Sequence, residues 1–258
     1  MDSPRALYVA WRSHLEENYD WGVVGQLSYS ETDGMYSFGY TRGAKALDCF
    51  VPFPGMSDLE SVYCSFELFP TFANRLMSPK RPDFREYLSW LDFAEDENPP
   101  PLAVLGISEG LRQTDSVELF PCPKPVAGKY ENKFFVHGIR YREEGADEQI
   151  RKLQEKENLT LVPEDNNLHD PNAVAIYANG ANGTKIGFVP RYMTHDVRYL
   201  LECNGTQEVQ VTVVRVNPTA PTQLRLICQL QTSWPADFCP CSEDAYQPLA
   251  EINERQLV

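Results

Sequence analysis

The stretch that decides the fold reads FFVHGIRY at 134–141, VPEDNNLHDPNAVAIYANG at 162–180 and GTKIGFVPR at 183–191. Its apolar runs are separated by short polar turns, a pattern that predicts β-strands. A polar turn leads into AVAIYA, and a glycine-containing turn at 179–183 leads into the next strand. These turns place aromatic rings, two cations and an acid at the ends of neighbouring strands, an arrangement suited to holding the end of a nucleic-acid strand.

The flanking segments extend this pattern into a β-rich second half. Residue alternation predicts strands at 159–162, 209–216 and 224–230, whereas 146–157 and 192–204 have the spacing of amphipathic helices. Gly205 follows the second helix at the position of a C-terminal cap. Several short strands joined by turns are typical of a closed barrel.

Two proline clusters, at 96–101 and 121–125, indicate linkers, because proline interrupts both helices and central strands. In the first half, 7–12, 21–30 and 35–43 predict strands and 62–93 has helical spacing. The segments 103–112 and 117–123 predict two more strands around a turn. We therefore expect an α+β chain with a domain of small β-sheet and helices at 1–125, a barrel with one or two helices at 131–231, and an acidic tail at 232–258.

Composition limits the class of protein. The chain has 258 residues, of which 42% are hydrophobic and 23% charged, values typical of globular domains. It has neither a long apolar run nor a signal-peptide pattern, so we expect a cytoplasmic protein without a membrane partner. A net charge of −14 argues against a broad cationic surface that coats nucleic acid. Residues 131–231 carry only −2 of that charge, which allows a short, salt-sensitive contact.

Three motifs in the second half resemble the HIRAN domain, and they occur in that family's order. They are Gly138-Ile139-Arg140-Tyr141, Asn167 to Val174 (NLHDPNAV), and Ile186 to Arg191 (IGFVPR). The likeness extends from Glu131 to about Gln231. It implies an OB-like β-barrel that binds single-stranded DNA and prefers a free 3′-hydroxyl end.

The resemblance and the residue types together suggest a set of nucleic-acid-binding residues. The set comprises Arg140, Tyr141, Asn167, His169, Asp170, Asn172, Lys185, Phe188 and Arg191. Tyr141 offers a flat face for a base, and stacking of this kind contributes roughly 1–3 kcal/mol per base. Asp170 would accept a hydrogen bond from a terminal hydroxyl and repel a phosphate, so a single acid could select strand ends.

Each of these assignments has a structural alternative. Asn and Asp side chains commonly satisfy backbone amides in turns, so the segment 167–172 could be purely structural. Tyr141 could pack on the barrel beside a solvated Arg140, and Phe188 could belong to the core. Lys185 could be an edge charge of the hairpin. His169 stands where relatives often have tyrosine, which predicts weaker or pH-dependent stacking.

The first half resembles the N-terminal subdomain of HipA-type toxin kinases. The similar segments are LYVAWRS (7–13), GVVGQLSYS (22–30), MYSFGYTRGA (35–44) and LFPTFANRLMSPKRPDFREYLSWL (68–91). The phosphate-binding glycine loop and the catalytic and metal-binding Asp motifs of a kinase do not follow. The resemblance therefore implies a docking or sensor subdomain for a protein partner, without kinase activity.

We find no catalytic motif and no ordinary zinc-module spacing, and expect neither enzyme activity nor a cofactor. Cys239 and Cys241, with Cys228 and a histidine, leave zinc as an alternative. We expect non-catalytic recognition of single-stranded or 3′-ended DNA, in DNA repair or phage defence. The alternatives are a protein-interaction module of the antitoxin-like regulatory type and, more weakly, an accessory to a metal-dependent hydrolase.

Overall fold

The computed structural model describes residues 4–13, 20–112, 116–139, 145–250 and the backbone of 255–257. Within these ranges the strands are β1 (Ala6–Arg12), β2 (Trp21–Ser30), β3 (Met35–Tyr40), β4 (Val62–Ser65), β5 (Val117–Phe120), β6 (Lys129–Phe135), β7 (Asn158–Pro163), β8 (Val174–Ala178), β9 (Thr184–Phe188), β10 (Gln210–Val216), β11 (Leu226–Ser233) and β12 (Arg255–Leu257). The α-helices are α1 (Arg42–Ala46), α2 (Pro70–Ala73), α3 (Phe84–Trp90), α4 (Pro101–Ser108), α5 (Ala146–Lys152) and α6 (Arg191–Asn204).

The chain folds into two compact units, each built on one sheet. The first unit comprises Met1–Arg81, Asn98–Cys122 and Cys239–Val258, and the second comprises Pro82–Glu97 and Pro123–Phe238. These units differ from the predicted segments 1–125, 131–231 and 232–258 in two places. The segment containing α3 belongs to the second unit, and residues after 238 return to the first unit instead of forming a separate tail.

The sheet of the first unit has the strand order β12-β4-β3-β2-β1-β5. Its neighbours are antiparallel except β12 and β4, which are parallel. The predicted strands at 21–30 and 35–43 form β2 and β3, although β3 ends at Tyr40, and the two pair as a hairpin. Gly34, whose φ is +64°, completes its turn, and the Ser30 carbonyl oxygen accepts a hydrogen bond from the Gly34 amide at 2.9 Å.

The core of the first unit lies against one face of this sheet and is rich in aromatic side chains. Phe38, Tyr40, Phe53 and Phe72 pack together there, and all are buried. Tyr40 donates a hydrogen bond to the Met56 carbonyl oxygen at 2.7 Å and accepts one from the Phe53 amide at 2.7 Å. The single polar atom of this ring is therefore satisfied inside the core.

The prediction of strands at 103–112 was wrong, because α4 occupies most of that segment. Pro101 fits the first turn of a helix, where its missing amide hydrogen is not needed. The helix is buried on nearly all sides, so its residues show no amphipathic period. The helical spacing at 62–93 was only partly right, since β4 and two short helices, α2 and α3, form there.

The sheet of the second unit is entirely antiparallel, in the order β6-β11-β10-β7-β8-β9. This order leaves β6 and β9 at the edges, so the closed, OB-like barrel is not shown. Two residues beyond the end of β6, His137 exchanges two backbone hydrogen bonds of 2.9 Å with Phe188 of β9 in one isolated bridge. The predicted helix of 192–204 is confirmed as α6, with Val197 and Leu200 buried.

Polar contacts explain why α3 belongs to the second unit. Asp92, just beyond the helix, pairs with Lys133 of β6 at 2.7 Å and with Arg215 of β10 at 3.4 Å. The Asn217 side chain donates to the Trp90 carbonyl oxygen at 3.0 Å. These partners lie far apart along the chain, so local sequence patterns carry no sign of them.

Candidate nucleic-acid interface

The polar turn between β7 and β8 is built by its own side chains. Asn167 Oδ1 accepts hydrogen bonds from the amides of His169 at 3.0 Å and Asp170 at 3.2 Å. Asp170 Oδ1 in turn accepts from the Asn172 amide at 2.9 Å. The structural role proposed as the alternative for Asn167 and Asp170 is therefore present. A carboxylate oxygen has two lone pairs, however, so Asp170 can still accept from a ligand.

The turn lies against the first turn of α6. The Thr194 hydroxyl is 2.9 Å from the Arg191 carbonyl oxygen and 3.4 Å from Asp170 Oδ2, and it can donate to either. Thr194 is buried, whereas Asp170 is only half-buried. The structure thus brings the predicted acid to the helix end where the predicted cation Arg191 begins α6.

Arg198, one helical turn beyond Thr194 on α6, also holds the turn. Its guanidinium donates to the carbonyl oxygens of Asn172 at 2.9 Å and Ala173 at 3.1 Å, and to Asp165 Oδ1 at 2.7 Å. Sequence reasoning missed this residue. The available signal was an arginine on the polar face of a helix that follows an acidic turn, and such a signal is weak.

Glu164 is the second residue that sequence reasoning missed, and it contacts two of the predicted DNA-binding residues. Its carboxylate accepts hydrogen bonds from Lys185 Nζ and, at 3.1 Å, from Asn167 Nδ2. Burial raises the pKa of Glu164, but the hydrogen bonds from Lys185 and Asn167 and the lysine charge outweigh burial. The net result is a pKa below the usual value.

Phe188 lies at the end of β9 beside the predicted cation. Lys185 Nζ is 4.4 Å from the centroid of its ring, a cation–π distance. A register shift between Ile176 and Tyr177 of β8 interrupts the strand alternation, so Lys185 and Phe188 share a face. Phe188 is half-buried, so it is neither a fully buried core residue nor a fully exposed ring.

The strand end that leads towards Arg140 approaches Phe188. A Cβ placed on Gly138 would lie 2.9 Å from Phe188 Cδ2, and Gly138 has a φ of +68°. Glycine is therefore required there by both the backbone conformation and the ring. Arg140 and Tyr141 themselves lie outside the described residues, so their role in binding DNA stays a prediction.

The other predicted DNA-binding residues lie either in the turn between β7 and β8 or next to it. Asn167, His169, Asp170 and Asn172 share one turn, in which His169 and Asn172 are exposed. The Thr194 hydroxyl lies near both Asp170 Oδ2 and the Arg191 backbone carbonyl oxygen. Glu164 joins Asn167 to Lys185, which lies over the Phe188 ring. Lys185 and Arg198 already pair with Glu164 and Asp165. The described part of this surface therefore carries compensated charge rather than a cationic patch.

The cysteines considered for zinc lie in different environments. Cys228 is buried in β11, and burial raises the pKa of its thiol far above the usual value. Cys239 and Cys241 belong to the first unit. Within the described ranges, no group of three or more His, Cys, Asp or Glu residues could hold a metal ion. The helices in these ranges are too short or too polar to cross a membrane.

Comparison with known proteins identifies similarity over part of the chain. No curated protein is significantly similar to the chain. Among solved structures, a protein from Lactobacillus plantarum is 19% identical, with a TM-score of 0.30 and coverage of 41% of this chain and 97% of that one. The HIRAN domain of human HLTF is also 19% identical, with a TM-score of 0.26 and coverage of 41% and 77%.

Of the two predicted resemblances, the comparisons support only the one to the HIRAN domain. None of these comparisons supports the resemblance of the first half to HipA-type kinases. The HIRAN family model matches residues 129–231, close to the limits predicted from the three motifs. Residues 129–231 of this chain therefore form a HIRAN domain.

Proposed function

We propose that the HIRAN domain of this protein binds single-stranded DNA, with preference for a free 3′-hydroxyl end, and that it does so without catalysis. The observation that carries this proposal is that the Thr194 hydroxyl lies within reach of both Asp170 Oδ2 and the Arg191 backbone carbonyl oxygen. It brings an acid and the start of a helix that carries an arginine to the same place. HIRAN membership supports nucleic-acid binding as the general class of function.

The chemistry of end selection follows from Asp170. Its carboxylate is held in the turn but keeps lone pairs for a ligand. A 3′-hydroxyl can donate a hydrogen bond to this carboxylate, whereas a 3′-phosphate is repelled by it. Arg191 supplies the phosphate contact one nucleotide inward, and its position at the helix start suits an anion.

The test compares two otherwise identical labelled strands, one ending in a 3′-hydroxyl and the other in a 3′-phosphate. We expect the wild-type protein to bind the hydroxyl strand at least about tenfold tighter, since a hydrogen bond to a charged group contributes about 1.5–3 kcal/mol. Fluorescence anisotropy at low salt gives both dissociation constants. Asp170→Asn should remove most of the difference, because the amide has no charge to repel the phosphate.

Asp165→Asn is the matched control. It makes the same charge change near the turn, but its side chain pairs with Arg198 and is 81% exposed. It should therefore leave the ratio between the two strands within about twofold of wild type. Equal binding of the two strands by the wild-type protein would refute end recognition. Failure to bind either strand at low salt would refute the function and favour the protein-interaction alternative.

A further inference from the structure

The Phe188 ring, which a base could use for stacking, is covered in this structure. Lys185 Nζ lies 4.4 Å from the ring centroid and so occupies a ring face. Gly138 lies beside one edge of the same ring, since a Cβ there would be 2.9 Å from Phe188 Cδ2. A base that stacks on an aromatic side chain needs a free face. Stacking of a base on the face that Lys185 occupies therefore requires Lys185 to move.

Glu164 holds Lys185 in this position. The two side chains form an ion pair, and each is only 25% exposed. Glu164 also accepts a hydrogen bond from Asn167, which fixes the carboxylate relative to the turn. The lysine is thus positioned by a carboxylate on one side and by an aromatic ring on the other.

We propose that Lys185 is a cover that a nucleic-acid phosphate draws away from Glu164, so that the phosphate contact and the exposure of Phe188 to a base arise from one movement. This inference rests on the function proposed above. A phosphate offers Lys185 the same charge that Glu164 offers, so the exchange of partners is chemically balanced. The carboxylate that remains next to the bound phosphate opposes binding, which makes Glu164 a determinant of affinity.

The first measurement is the affinity of the full chain for a labelled oligothymidine strand at low salt. Glu164→Gln keeps the size of the side chain and removes its charge, so we expect binding about tenfold tighter. Asp165→Asn makes the same charge change at the next residue without contacting Lys185, and it should change affinity by about twofold or less. In a Lys185→Met background, Glu164→Gln should have a smaller effect than in the wild-type background, because no pair remains to be broken and only the repulsion between carboxylate and phosphate is removed.

The second measurement observes the cover directly. Lysine methylene groups labelled with ¹³C report the ring current of a nearby aromatic ring in NMR spectra. In the free wild-type protein, the Lys185 signal, identified by its loss in Lys185→Met, should be shifted upfield. It should move towards the ordinary lysine position when the oligothymidine strand is added, and Glu164→Gln should move it in the same direction without any strand.

The outcomes separate this inference from the proposed function. An upfield signal that returns to the ordinary position on binding, together with tighter binding by Glu164→Gln, would support the cover. An ordinary signal in the free protein, or an upfield signal unchanged at saturation, would overturn the cover while DNA binding stands. Absence of binding by every variant would overturn both. If Glu164→Gln does not fold, the titration of the wild-type protein still decides.

Discussion

Replacing Arg198 with alanine should loosen the turn that carries four of the predicted DNA-binding residues. The guanidinium holds the carbonyl oxygens of Asn172 and Ala173 and pairs with Asp165. The Asp165 side chain is 81% exposed, so that ion pair contributes less than about 1 kcal/mol. The two backbone hydrogen bonds dominate, at about 1 kcal/mol each. We therefore expect the free energy of local opening to fall by about 2 kcal/mol.

Amide hydrogen exchange measured by NMR tests this value. The Ala173 amide donates to the Asp170 carbonyl oxygen at 3.0 Å, so its exchange reports opening of the turn. A loss of about 2 kcal/mol corresponds to exchange about 30-fold faster. Amides of β11, which lies away from the turn, should keep their wild-type rates.

Two further variants locate the effect. Asp165→Asn should accelerate exchange of the Ala173 amide by only about fivefold or less, because it removes the exposed pair alone. Arg198→Lys should restore less than half of the protection, since one ammonium group cannot reproduce the guanidinium fork. If Arg198→Ala left the exchange rate of Ala173 within about twofold of wild type in a folded protein, the assignment of Arg198 as the support of the turn would be refuted.

Two other predictions concern the same unit. Gly187→Ala should lower the free energy of unfolding by about 3 kcal/mol or more, because a Cβ there would lie 2.5 Å from the His137 carbonyl oxygen. In the control Gly180→Ala, the new Cβ meets nothing within 4 Å, so the free energy of unfolding should fall by only about 1–2 kcal/mol. Urea denaturation measures both values, and equal losses would contradict the steric argument. The ion pair of Glu164 with Lys185 should stabilise the fold above the usual glutamate pKa of about 4.3 and lose this contribution as pH falls through the lowered folded-state pKa. The stability difference between wild type and Glu164→Gln should therefore shrink in acid, and a difference that grew would reverse the assigned sign.

Local patterns were sufficient for the elements that depend on neighbouring residues. The hairpin of β8 and β9 and the helix α6 lie where alternation, glycine and helical spacing predicted them. The same patterns failed for α4, which is buried on nearly all sides and has no polar face to reveal its period. Periodicity therefore predicted the amphipathic helix α6 and failed for the buried helix α4.

The candidate site shows the same division. Asn167 and Asp170 were found because a turn and a family motif are contiguous in sequence. Glu164 and Arg198 were missed, because their contacts join residues 21 and 33 positions apart, as in Lys185–Glu164 and Arg198–Asp165. Residue type and spacing carry no information about which distant side chain will complete a hydrogen bond.

Residue order alone established that this chain contains a HIRAN-like segment of antiparallel strands, and it identified the turn and strand ends that bear chemistry. Only the folded chain decided that α3 joins the second unit and that residues after 238 return to the first. It also decided that Lys185 lies over the Phe188 ring while it pairs with Glu164. The physical reason is the range of the forces. Backbone conformation responds to adjacent residues, whereas ion pairs and ring contacts exist only after distant segments have packed together.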